Sequence, residues 1–163
     1  MSLKISTDLI DNTLVLTLQG SLNEYSSELN QVAVHPSYDL SLDLRYLTAI
    51  NSIGIRNFQN WISKVESPRI IFLRCPRNFV HQLNLVHGFI PERSEIRSFY
   101  VTFYSEATGA EVEKLFVRGI DYDIEHGQMV LKPGALAKDA YGNPMELDDI
   151  KGQYFKFLEV YKK

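Results

Sequence analysis

The stretch Leu42-Asp43-Leu44-Arg45-Tyr46-Leu47-Thr48-Ala49-Ile50-Asn51-Ser52-Ile53-Gly54-Ile55 decides the fold. Around its front, residues 40–44 alternate about Ser41 and Asp43 and predict a strand near the core. Its back opens a helix predicted over 51–65. Ile55, Phe58, Ile62 and Val65 follow the spacing of one buried helical face. Asn51 or Ser52 can cap the first turn by accepting a backbone N–H bond. Further on, Ile70-Ile71-Phe72-Leu73 is an unbroken apolar run between Pro68 and Pro76, the pattern of an interior parallel strand covered on both faces. Phe79, Leu83 and Val86 predict another helix, ended by Gly88. Residues 96–104 predict a strand with Phe99, Val101 and Phe103 on one side and Tyr100, Thr102 and Tyr104 on the other. Upstream lie a short strand at 4–7, a turn at Asp11-Asn12 and a strand at 14–18 stopped at Gly20. Residues 24–34 read as a short helix or loop. Strands alternating with helices predict an α/β fold with a mostly parallel sheet.

After residue 105 the texture changes. Segments at 115–117, 122–124 and 129–131 predict short strands, with a hairpin turn at Glu125-His126-Gly127-Gln128. Ile150, Tyr154, Phe157, Leu158 and Tyr161 stand at helical spacing and predict a closing helix. Gly152 inside it costs about 1 kcal/mol relative to Ala.

The chain has 163 residues, 45% hydrophobic and 23% charged, enough to bury a core without staples. With a net charge of -3, nothing argues for nucleic acid, whose usual footprint is a basic face, so none is expected as a partner. The acidic excess lies entirely after residue 98. Cys75 is the single cysteine, so no internal disulfide forms, which fits a reducing, cytoplasmic compartment. A buried structural thiol is the expectation for it; nothing adjacent would lower its pKa for nucleophilic work. No apolar run reaches signal-peptide length at the start or the roughly 18 residues of a membrane span, so no direct membrane insertion is expected.

The segment 42–55 resembles the signature of STAS domains, the anti-sigma-factor-antagonist family, in which a strand ending in a pattern like LDLSxVxxIDSSGL leads into a helix. Two other segments agree in order and spacing. Gly20-Ser21-Leu22-Asn23 resembles the family's GxLD turn, and residues 75–89 resemble its later helix, which begins near a Pro and ends in a Gly plus an apolar residue. The resemblance spans residues 4–105. It implies a STAS-like domain over 1–105; the patterns after it predict a small β-rich subdomain over 106–163 that ends in a helix. The resemblance also implies a non-enzymatic regulatory module that binds a kinase-like protein or an anti-sigma factor and needs no cofactor. The alternative is a cytoplasmic accessory subunit of a membrane transport complex, and a homodimer stays open. The partner-binding residues carried over are Asn23, Asn51, Ser52, Ile53 and Gly54. In phospho-switched members a serine at the helix start takes a phosphate, adding about -1.5 to -2 charge. Here that position is Ile53, which has no hydroxyl, and the family's two acids are Asn51 and Asn23. Ser52 is left as a displaced acceptor or a helix cap.

In the tail, residues 107–113 and 140–146 share the pattern Ala-x-Gly-x-x-(Val/Met)-Glu. The pair resembles the two glycine turns of a zinc ribbon, each of which carries C-x-x-C-G. The four ligand positions fall on Ser105, Thr108, Lys138 and Tyr141, none of them a zinc ligand of useful strength. The tail is therefore either a zinc-ribbon-like module without its metal, held by aromatic packing, or two unrelated glycine turns. Asp121, Asp123 and Glu125 alternate like a calcium loop, but His126 takes the place of the required glycine, which leaves a solvated strand face as the expectation. His35, His81, His87 and His126 lack metal-site spacing. Trp61, one residue off the buried helical face, is core edge or interface anchor.

Overall fold

The computed structural model describes residues 2–162. Among these residues, ten strands, four short-to-medium α-helices and one 3-10 turn are arranged as a mixed α/β fold. Its main sheet has five strands in the order β1-β2-β3-β4-β5. These are β1 (Lys4–Ile10), β2 (Thr13–Leu22), β3 (Asp39–Ile50), β4 (Ile70–Leu73) and β5 (Glu95–Ile96). β1 runs antiparallel to β2; the other neighbours are parallel. The mostly parallel sheet is therefore as the alternation of patterns predicts.

Helix α1 (Ser52–Ile62) joins β3 to β4, and α2 (Arg77–Leu85) joins β4 to β5. Phe58 of α1 and Phe79 of α2 both pack on Phe72 of β4, with ring centroids 6.4 and 5.7 Å away. Both helices thus lie on one face of the sheet, where Leu16, Leu18, Leu40, Leu42 and Leu44 are buried. Burying each such side chain contributes about 1.5–3 kcal/mol. The expectation that Ile70–Leu73 is covered on both faces holds for one face only. The opposite face carries Asp43, ion-paired with Arg74, and the linked pairs Arg69–Glu95 and Arg97–Glu95. Ile71 is still buried there, among strand neighbours rather than under a helix.

Several element limits differ from the sequence expectations. β2 does not stop at Gly20. It passes through at φ 103° and shifts register against β3, with Ser21 and Leu22 pairing with Ala49 and Ile50. That same pairing carries β3 six residues past Leu44, through a mixed stretch that has no strict alternation of its own. The 24–34 segment forms a 3-10 turn at Ser26–Gln31. α1 ends at Ile62, with Ser63 as its C-cap, rather than at Val65, and Val65 instead closes a turn onto the Ile62 carbonyl. α2 ends at Leu85, three residues short of Gly88 at φ 67°.

The strand expected at 96–104 divides at Arg97. β5 belongs to the main sheet, while β6 (Ser98–Tyr104) centres a second sheet of order β10-β6-β7, with β7 (Glu111–Val117) and β10 (Glu146–Leu147). A single parallel bridge, Cys75 to Phe99, connects β6 back to the end of β4. β8 (Tyr122–Glu125) and β9 (Gln128–Leu131) form the expected hairpin. His126 and Gly127 at its tip both have positive φ, as a tight two-residue turn requires.

The closing helix is not continuous. It is two single turns, α3 (Lys151–Tyr154) and α4 (Phe157–Val160), broken at Phe155. The break lets Tyr154, Phe155, Phe157, Leu158 and Tyr161 all point inward, more than one straight helix could bury, while Ile150 stays exposed. Phe99 sits at the centre of this cluster, with its ring 5.0 Å from Phe157, 5.3 Å from Tyr122 and 5.9 Å from Phe116 and Phe155. Among the described residues no helix is long and apolar enough to cross a membrane.

Candidate functional site

The register shift at the end of β2 delivers residues 20–23 to the first turn of α1. The Asn51 amide N–H donates to the Leu22 carbonyl at 3.0 Å. Gly54 then presses against the same backbone: a Cβ placed on it would stand 2.0 Å from the Leu22 oxygen. Only glycine permits that approach, so this position locks the turn to the helix start.

Side chains reinforce the lock. Asn51 caps α1, its Oδ1 accepting from the amides of Ile53 at 3.1 Å and Gly54 at 2.9 Å. Its Nδ2 donates to Glu24 Oε2 at 2.8 Å. The hydrogen bond from its own backbone amide, and then the one from Asn51, hold the Glu24 carboxyl below its ordinary pKa. Asn57 Nδ2 donates to the Asn23 carbonyl at 3.2 Å, and Asn23 Oδ1 accepts from the Tyr25 amide at 2.9 Å. Ser26 is buried, accepting from the Asn23 amide and donating to the Ser21 carbonyl.

All five expected partner-binding residues lie in this one patch. Asn23, Asn51 and Gly54 are tied into its framework, while Ser52 and Ile53 face outward. The cap is Asn51 and not Ser52, because Asn51 has the extended backbone that aims its side chain at the free amides. Ser52, the displaced-acceptor candidate, is the exposed first residue of the helix. Ile53 is 48% exposed and Tyr25 69% exposed, an apolar pair at the rim of a polar framework. Tyr25, Glu24 and Asn57 were not singled out from the sequence. The contact between Glu24 and Asn51 spans 27 positions, and only the position of Glu24 right after the GxLD-like turn points to it.

The tail turns behave differently. Gly109 and Gly142 both take left-handed φ, 70° and 80°, as matching turns do. The two turns face each other: buried Ser105 donates to Asp139 Oδ2 at 2.7 Å. Asp139 also accepts from Asn143 Nδ2 and from the amides of Tyr141 and Asn143. Burial works against ionisation of Asp139, but these hydrogen bonds outweigh it and hold the carboxyl below its usual range. Of the four zinc-template positions, Ser105 lies at this contact and Thr108 bonds it through its amide; Lys138 and Tyr141 are exposed. Asp139, one place from the template position, is the residue that meets Ser105.

Other candidates resolve into structural roles. Cys75 is fully buried, and desolvation, with Asp43 adding to it, pushes its thiol strongly up, so it stays protonated. Trp61 is buried and donates its indole N–H to the Val32 carbonyl at 3.2 Å. Asp121 departs from the expected solvated face. It is buried, accepts from the Val117 amide at 2.9 Å and pairs with Lys114 at 3.3 Å. His81 lies 3.5 Å from Asp149, at a cleft of about 290 Å³ between α2 and α3. No family model matches this chain, and no curated protein matches it.

Proposed function

We propose that this chain is a non-enzymatic protein-interaction module of the anti-sigma-factor-antagonist type, with a STAS-like domain that docks partners through the start of α1. The lock between the Leu22–Asn23 backbone and Gly54 carries this reading. It joins the two segments most similar to the STAS signature into one surface, with Ile53 and Tyr25 exposed beside it. That surface presents an isoleucine where a phospho-switched relative has its serine, so its binding is constitutive. The tail fits a zinc-ribbon-like module in which the hydrogen bonds of Ser105 and Asp139 stand in place of a metal.

Affinity capture with wild-type protein and Ile53→Asp, followed by mass spectrometry, tests the reading. The carboxylate must be desolvated on docking, so specific partners should bind about tenfold more weakly or worse. Equal capture by both proteins would sink the docking face. Kinase-like or anti-sigma proteins lost with Ile53→Asp would support the regulatory reading, whereas transporter subunits would move the chain to the role of accessory subunit.

A further inference from the structure

Among the described residues, the main sheet ends on β1, which pairs with β2 alone. Its seven residues pair with β2 without a break in register, from Lys4 opposite Gln19 to Ile10 opposite Thr13. It contains no proline and no bulge, and six of its seven residues are exposed. Such an edge presents a free row of N–H and C=O groups, which proteins ordinarily protect. Leu9 and Ile10 at its end are 53% and 59% exposed.

The sequence of this edge is complementary to itself. We infer that β1 pairs antiparallel with β1 of a second copy, centred on Ser6, so that two five-stranded sheets join as one. In a strand, outward-pointing backbone groups come from every second residue, so even-numbered positions must meet even-numbered positions. Centring on Ser6 sets Lys4 opposite Asp8 of the second copy and Asp8 opposite its Lys4. Two cross-strand ion pairs then form on one face, while Ile5 faces Thr7 on the other. The neighbouring registers allowed by parity lose this match. Centring on Thr7 sets Lys4 against Ile10, and centring on Ile5 sets it against Ser6. Charge therefore selects both the occupant and the register, and the edge lies on different strands from the α1 docking face.

Sedimentation equilibrium over a concentration series tests this, with wild-type, Asp8→Lys, Lys4→Asp and the double swap Lys4→Asp/Asp8→Lys. Wild type should dimerise. Either single reversal puts like charges opposite each other twice and should weaken association about tenfold or more. The double swap has the wild-type net charge and should restore dimerisation. Circular dichroism and melting confirm that each variant is folded. A wild-type protein that stays monomeric, single reversals that associate as well as wild type, or a folded double swap that does not recover would each overturn the inference.

Discussion

The first turn of α1 and the paired turns of the tail each bring together two segments far apart in sequence, by different means. At α1 the contact is backbone on backbone: the amide of Asn51 on Leu22, and Gly54 against the same carbonyl. In the tail it is side chain on side chain, the hydroxyl of Ser105 on the carboxylate of Asp139. A backbone contact is intolerant of any added atom but leaves neighbouring side chains free. A side-chain contact tolerates bulk nearby but depends on protonation. The first arrangement suits a surface whose outward residues select partners, and the second suits a structural clasp.

The sharpest way to break this contrast is Gly54→Ala. The new Cβ meets backbone, which cannot rotate away, so the turn and helix must separate. A loss of about 3 kcal/mol, or a fall in Tm of about 6–12 °C, is expected in thermal unfolding. Little change would mean that the close approach is not a lock.

The tail clasp should yield less and should respond to pH. Ser105→Ala removes hydrogen bonds at a buried position and should cost about 1 kcal/mol near neutrality. Asp139 has a folded pKa below its ordinary 3.8, so its contribution is complete above that value and is lost as pH falls through the folded value. The gap between wild type and Ser105→Ala should therefore close in acid. A gap that persists would assign the effect to packing instead. Glu24 is also depressed, first by its own backbone amide and then by Asn51, so acid should loosen the α1 turn as well.

The smallest effects separate neighbouring residues at α1. Asn51→Ala loses the cap and should destabilise by about 1 kcal/mol. Ser52→Ala, one position on and exposed, should stay within about 0.5 kcal/mol. A larger loss in Ser52→Ala than in Asn51→Ala would return the cap to Ser52.

The parts legible in the sequence were those governed by local period. Ile70–Leu73 as an interior strand, the Phe58 and Phe79 helical faces and the hairpin tip at His126 and Gly127 follow from neighbours within a few residues. What escaped was set at a distance. Residues 45–50 have no alternation of their own and are strand because a shifted β2 pairs with them. The tail helix breaks at Phe155 because the aromatic cluster around Phe99 demands inward side chains on more than one face. Within the proposed docking patch, the resemblance to STAS domains points to five positions, which the fold places side by side. Glu24 and Asn57 were not legible, since each acts across 27 or more positions.

The most direct measurement on the proposed docking face is hydrogen–deuterium exchange of the protein with and without a captured partner. Added protection should concentrate at residues 20–26 and 51–57, where the turn and the start of α1 meet. Protection confined to the tail or to the cleft between α2 and α3, with residues 20–26 and 51–57 unchanged, would contradict the docking face at α1.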